Sequence, residues 1–513
     1  MLTKSNKRSA VSTLAILILA LAATAWAGGF PGGHNEALGP LYEAAQVQEP
    51  PPRQDPPGAA DPARRIRYWN EIALTANALD HTPVEPGDDR IFGEQIGPGR
   101  TSRAFAIVHI AIFDAVNAIA GGYQSYTRLA PARTPASMDA AIAQAAHDTL
   151  VVLFPSQKKS FDRLLVKDLG RIPDGQAEKN GIDLGRRAAA AILKLRANDG
   201  SQYPEPRIGI DFFTSDQPGK WRQDPISQIP LALGAYWGGV KPFVMLSADQ
   251  YQIPAPPPLD SDDYTAAFDE VKRLGGDGIV TPTERSQEQT IAGIYWGYDG
   301  TPGLGAPPRL YNQIAVQIAE EKKLNAVALA RLLALVNVGM ADAGISCWKD
   351  KYYYQFWRPI TGIREADPGT GPTGLGDGNP ATLGDPNFTP LGAPASNFLG
   401  PNFTPPFPAY ASGHATFGGA LFQILRKYYG TDNIAFTFVS DEYNGVTMDN
   451  VGNVRPLLPR TFSSLSAAEE ENGQSRIYLG IHWAFDKTKG IIHGRQVGDY
   501  VLEHAFLPRK SSR

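Results

Sequence analysis

The stretch KYYYQFWRP, Lys351 to Pro359, decides how this chain is read. It sets Lys351 and Arg358 seven residues apart, so a continuous helix ended by Pro359 would carry both on one face. Two later segments extend the pattern: Ala411-Ser-Gly-His414, and Ser475-Arg476 followed by Gly480, His482 and Asp486. Permanent cations are seldom buried without a partner. If Lys351, Arg358 and Arg476 converge, the natural partner is a compact oxyanion, phosphate or something of its shape. An Arg fork and a Lys point charge both suit such a group. Ser412 adds a hydroxyl, and the Gly413 N–H would lie at a helix start, where free N–H groups favour an anion. His482 and Asp486 are four apart and share a face if one helix carries both. Taken singly, these features read as a solvated lysine, a helix end, a turn and a surface pair. Their joint occurrence at these spacings and in this order points to a site.

Lys, six residues, Arg-Pro, then Ser-Gly-His, then Ser-Arg, five residues, His, three residues and Asp resembles the superfamily that joins vanadium haloperoxidases to type 2 acid phosphatases. Ala411 stands where that superfamily usually has proline, a change that touches no functional group. Ala341-Asp-Ala-Gly-Ile-Ser-Cys-Trp348, Phe356-Trp-Arg-Pro359 and Pro405-Pro-Phe-Pro-Ala-Tyr410 resemble the chloroperoxidase-like branch, as do Tyr298-Asp-Gly300 and Pro307-Pro-Arg-Leu-Tyr-Asn312. The resemblance spans roughly 290–505 and implies one vanadate per chain, cradled by Lys351, Arg358, Ser412, Gly413 and Arg476 and bonded to His482. It implies further that His414 moves protons, with Asp299 holding it and Asp486 doing likewise for His482, and that Lys351 polarises the oxidant. Trp348 and Phe407 would line a halide pocket; the plainer reading makes them core aromatics.

Two activities can share such a pocket. One oxidises bromide, and chloride, with hydrogen peroxide to hypohalous acid; the other hydrolyses phosphomonoesters through a phosphohistidine at His482. The length of the chain, the aromatic pair and the Tyr298-Asp-Gly300 segment favour the haloperoxidase. A protein that merely binds phosphate would not need both histidines. An organic acceptor, the preferred halide and the oligomeric state are left open.

The 513 residues carry a formal charge of −4 and are 42% hydrophobic, which excludes a disordered chain and gives no basic surface for nucleic acid. The one cysteine, Cys347, excludes an intramolecular disulfide and reads as a small buried residue. Residues 1–27 read as a signal peptide: Lys4, Lys7 and Arg8, an uncharged run from Ala10 to Ala23, then Ala25-Trp-Ala27 as the cleavage site. No later run reaches about 18 uninterrupted apolar residues, so the expected protein is exported, periplasmic or secreted, with no stable membrane span after cleavage.

The expected fold is mainly α: two packed helical bundles with long Pro/Gly-rich loops and a type 2 acid phosphatase/haloperoxidase-like core. Residues 28–325 would form an N-terminal helical region and 326–513 the bundle carrying the oxyanion site. Residues 28–65 read as an exposed strap and 66–80 as a short helix. Arg103 to Ile119 reads as a buried helix in which His109 is a satisfied core residue. Helical patterns follow at 138–153, 175–197, 263–273, 284–296 and 309–322. A long helix from Ala326 to Tyr354 would be capped by Asn325, and 413–429 would be opened by Ser412. Ser466-Ala-Ala-Glu469 reads as a capping box, and Gly480 as a point of close approach. The stretches 201–260 and 366–408 read as long loops, the second functional or mobile.

Overall fold

The computed structural model describes residues 28–45, 55–58 and 60–509. The segment read as a signal peptide lies outside the described residues. In chain order the elements are α1 (His34–Leu38), β1 (Glu43–Ala44), α2 (Pro62–Asp80), α3 (Gly97–Ala120), α4 (Met138–Leu153), α5 (Lys158–Leu169), α6 (Gln176–Arg196), α7 (Asp262–Leu274), α8 (Gln287–Tyr295), α9 (Pro307–Glu321), α10 (Ala326–Tyr354), α11 (Pro359–Arg364), β2 (Phe398–Leu399), α12 (Gly413–Tyr429), β3 (Phe436–Asn444), β4 (Leu457–Phe462), α13 (Leu465–Tyr478) and α14 (Ala484–His504). β1 pairs antiparallel with β2, and β3 with β4. The architecture is mainly α-helical, with several packed bundles.

The central element is α10. Asn325 caps it by accepting the Ala328 N–H, and from Leu329 to Trp348 nearly every residue is buried. A helix apolar on all sides belongs in a core; α10 packs on α3 of the N-terminal half and on α12 and α14 of the C-terminal half, and one hydrophobic core runs through both. α3 and α10 are long and apolar enough to cross a membrane, yet 78% and 83% of their most apolar windows are buried inside the fold. α12 and α14 pack backbone to backbone, because a Cβ on Gly494 would collide with the Thr416 carbonyl. His109 on α3 is buried with Nε2 2.8 Å from Asn70 Oδ1, the core histidine expected.

Several local expectations are corrected. The stretch 28–65 is not all strap: Ala37 and Tyr42 are buried, β1 joins a ribbon, and α2 begins at Pro62, where Asp61 caps it. α10 stops at Tyr354, and Gln355 turns the chain with φ 50°. Arg358 is therefore not on the helix of Lys351. It is the N-cap of α11, which Pro359 opens rather than ends, because proline lacks only an N–H that a first turn leaves unpaired anyway. The cap of α13 is Ser464, which accepts the Ala467 N–H, whereas Ser466 bonds Asp432. Nor do His482 and Asp486 share a helix, for α13 ends at Tyr478 and α14 begins at Ala484.

Candidate active site

Helix starts and loop ends bring the three segments to one pocket of about 850 Å³, measured to its open mouth. α10 delivers Lys351, the N-cap of α11 delivers Arg358, the start of α12 delivers Ser412, Gly413 and His414, α13 delivers Arg476, and the turn before α14 delivers His482. Lys351, Arg358 and Arg476 are 0%, 1% and 1% exposed. Lys351 Nζ donates to the carbonyls of Pro408 and Ala409, each at 2.9 Å. Arg358 donates to the Phe407 and Ile481 carbonyls, both at 2.9 Å. Thus the proline-rich approach read as a loop is a carbonyl scaffold that aims two cations.

The two histidines have opposite tautomers. Arg358 Nη1–H donates to His482 Nε2 at 2.9 Å, so Nε2 is an acceptor and Nδ1–H donates to Asp486 Oδ2 at 2.7 Å. The expected pairing holds without a shared helix: Asp486, in the first turn of α14, also takes the Trp483 N–H at 3.1 Å. His414 Nε2–H donates instead to the Gly297 carbonyl at 2.8 Å. Asp299, expected to hold His414, stands 4.0 Å from that nitrogen and takes two 2.8 Å bonds from Arg476 Nη2. The physical reason is charge: a permanent guanidinium holds a carboxylate more strongly than an imidazole that burial keeps neutral.

Burial pushes the Lys351 ammonium down to about 7, with Arg358 adding to the effect. It pushes Arg358 down to about 9 and His414 to about 4, and holds His482 well below the usual imidazole range. It lifts Asp486 to about 7. These shifts share one origin, charges removed from water with too few counter-charges; three cations face only Asp299 and Asp486. Arg476 Nε is buried without a partner, and the Gly413 N–H, first in α12, has no intrahelical acceptor. Among the described residues no group of three or more His, Cys, Asp or Glu is placed to hold a bare metal ion. The donor set fits vanadate, an oxyanion held by cations with one imidazole lone pair.

Trp348 and Phe407 stand side by side, ring centroids 5.0 Å apart, with Lys351 Nζ 5.5 Å and 5.2 Å from the two rings. Both line the pocket. Cys347 is buried against the Ala411 carbonyl, the plain role expected of it. Gly480, at φ 72°, admits the Gly275 backbone and the ring of Pro390 rather than a ligand.

Four residues around the site escaped the sequence reading. The Gly297 carbonyl receives His414. Asn472 Nδ2 (2.9 Å) and Tyr311 Oη (3.0 Å) both donate to the His414 carbonyl. Glu442 receives the Tyr298 N–H at 3.1 Å. Asn472 lies one helical turn before Arg476, a spacing that could have exposed it; Glu442 carries no such signal.

A cationic pocket with one ligand imidazole and one proton-moving imidazole defines an oxyanion-using enzyme. Residues 331–509 match the family model described as the VCPO second helical-bundle domain. The chain is 33% identical over 498 residues to the vanadium chloroperoxidase of Curvularia inaequalis, an alignment covering 82% of this chain and 78% of that one. It is also similar to the crystal structure of a bacterial vanadium-dependent iodoperoxidase (TM-score 0.68, 23% identity, 90% and 100% of the two chains). A bacterial vanadium-dependent chloroperoxidase without cofactor matches at TM-score 0.58 and 16% identity, over 80% and 94%. The chain belongs to the vanadium-dependent haloperoxidases, in the chloroperoxidase-like branch, and is an oxidoreductase.

Proposed function

We propose that this pocket binds vanadate and oxidises bromide, and chloride, with hydrogen peroxide to hypohalous acid. The observation that carries this reading is the geometry around His482, whose unprotonated Nε2 faces Arg358 beside two more buried cations. When bound, vanadate supplies a pentavalent Lewis-acid centre at which peroxide becomes an oxygen donor to halide without a change in the metal's oxidation state.

The chain's own residues do the rest. Lys351, Arg358 and Arg476 neutralise the oxyanion, and the Gly413 N–H and Ser412 hydroxyl complete its cradle. His482 offers its Nε2 lone pair, made more basic by Asp486 at Nδ1. His414, with Nε2–H fixed on Gly297, moves protons at Nδ1. An anion in the cradle raises its affinity for protons from the depressed value of the empty pocket. Lys351 keeps a positive charge beside the oxidant. Trp348 and Phe407 exclude water from the halide, and the apolar mouth of Leu38, Tyr42, Leu231 and Phe398 suits an organic acceptor. The basic start and Ala25-Trp-Ala27 of the first 27 residues support export; N-terminal sequencing of secreted material tests that.

The test of function is to dialyse the purified protein with orthovanadate and follow monochlorodimedone halogenation beside p-nitrophenyl phosphate hydrolysis. Halogenation should require vanadate and be suppressed by competing phosphate. Halogenation that survives vanadate removal, or phosphate-ester hydrolysis as the only activity, overturns the reading.

A further inference from the structure

We infer that Glu442, on a hairpin outside the three motifs, is a positioning residue for both His414 and Arg476. The inference rests on the vanadate reading of the pocket. Glu442 is fully buried on β3. Its Oε2 takes the Ser396 hydroxyl at 2.5 Å and Arg455 Nη1 at 2.7 Å, and its Oε1 takes the Tyr298 N–H at 3.1 Å. A Cβ on Gly297 would collide with that Oε1, so glycine lets the carboxylate lie against the backbone.

Tyr298 needs this hold. Its φ is 58°, a left-handed conformation uncommon for a bulky side chain, which persists only where surroundings impose it. β3 imposes it at both ends of the residue. Glu442 receives the N–H, while Tyr298 Oη donates to Gln313 at 3.0 Å and accepts the Asp441 N–H at 2.7 Å. Ser440 Oγ also donates to the Tyr295 carbonyl at 2.6 Å, pinning the end of α8.

The residues on either side of Tyr298 are those that act. The Gly297 carbonyl fixes the His414 ring, and the Asp299 carboxylate fixes the Arg476 guanidinium. One peptide unit therefore aligns the proton mover and one of the anion-binding cations. If Glu442 is lost, Tyr298 relaxes toward negative φ, the Gly297 carbonyl swings from His414, and Asp299 leaves Arg476. Trp348 and Phe407 rest on other elements and should not move.

The variant is Glu442→Gln, which keeps the shape but cannot serve both Tyr298 N–H and Arg455. Calorimetry of the unloaded protein should show vanadate Kd weakened about tenfold, with kcat at saturating vanadate falling by a similar factor. Halide KM should stay within about twofold, since a misaligned cradle leaves the halide wall intact. The double variant Glu442→Gln/Arg455→Gln, in which one amide donates to the other, should recover most of the loss. A purely structural Glu442 would lower the melting temperature and leave vanadate Kd and kcat per folded molecule at wild-type values, and that result overturns the inference. If Glu442→Gln does not fold, Ser396→Ala decides, because it removes one support of the carboxylate and keeps the charge. It should shift Kd and kcat the same way, and wild-type values there refute the inference equally. A wild-type protein that binds vanadate but does not halogenate would sink the proposed function, while the Kd comparison would still test Glu442.

Discussion

Replacing Asp486 separates two contributions that its carboxylate makes through one oxygen. Oδ2 receives both His482 Nδ1–H and the Trp483 N–H, while Oδ1 is buried with no partner. Asp486→Asn keeps an acceptor where Oδ2 lies and removes only the charge, so the tautomer and the start of α14 survive. The loss should fall on the basicity of His482 Nε2. Partners of ligating histidines are worth roughly 10–100-fold in affinity, about 1.4–2.7 kcal/mol. Asp486→Ala also strands two buried donors at about 1–3 kcal/mol each, a further loss of roughly 2–5 kcal/mol in folding stability. Orthovanadate titration by calorimetry at pH 8 reads the first quantity, and urea unfolding of the unloaded protein reads the second. The Asn variant should lose affinity with little stability, and the Ala variant both. An Asn variant with wild-type vanadate Kd, or an Ala variant as stable as the Asn variant, refutes the argument that the charge tunes His482 and the acceptor holds the turn.

Lys351, pushed down to about 7 by burial, gives the unloaded protein a pH-dependent increment. Unfolded lysine keeps its proton up to about pH 10, so the unfolded chain binds more protons between about pH 7 and 10, and stability rises with pH there by up to about 1.4 kcal/mol per unit. Urea denaturation across that window should show a shallower rise for Lys351→Met and under saturating phosphate; an identical rise in all three would mean that the lysine stays charged. His482→Ala should abolish vanadate retention, whereas His414→Ala should keep it and lower kcat about 10²–10⁴-fold; equal loss of vanadate affinity in both would mean the roles are misassigned. Trp348→Ala and Phe407→His should each lower the chloride-to-bromide ratio of kcat/KM at fixed peroxide and pH, because both admit water beside the halide. An unchanged ratio would make these rings core packing alone.

Helices that bury an unbroken apolar surface were legible residue by residue. α10 begins and ends where Asn325 and the apolar run from Leu329 place it, and Ser412 opens α12 as its side chain requires. Legibility failed where a helix ends for reasons outside its own sequence. KYYYQFWRP shows no stop before Pro359, yet Gln355 takes a left-handed φ, its N–H closes on the Lys351 carbonyl, and its own carbonyl takes the Trp221 N–H from the loop across it. The cradle residues were legible because each bears a charge or a cap at a fixed spacing. Their supports were not. The Gly297 carbonyl is backbone, and Glu442 reaches the site from a strand some 140 residues along the chain from Tyr298, a separation that no local pattern encodes.

The different partners of the two histidines explain how one pocket gives two imidazoles different tasks. His482 gives its Nδ1 proton to a carboxylate, which pushes electron density toward Nε2, and Arg358 marks where that lone pair points. His414 gives its Nε2 proton to a neutral carbonyl, so its basicity is set mainly by burial and by the charge nearby. Without an anion, burial and Arg476 hold His414 neutral at working pH. With an anion in the cradle, the field at His414 changes sign and its pKa moves toward the range in which a proton can be both taken and returned. The ligand histidine is thus fixed by a charged neighbour, and the proton-moving histidine is switched on by the arrival of the oxyanion. Asp299, by pairing with Arg476 rather than His414, leaves that switch to the anion.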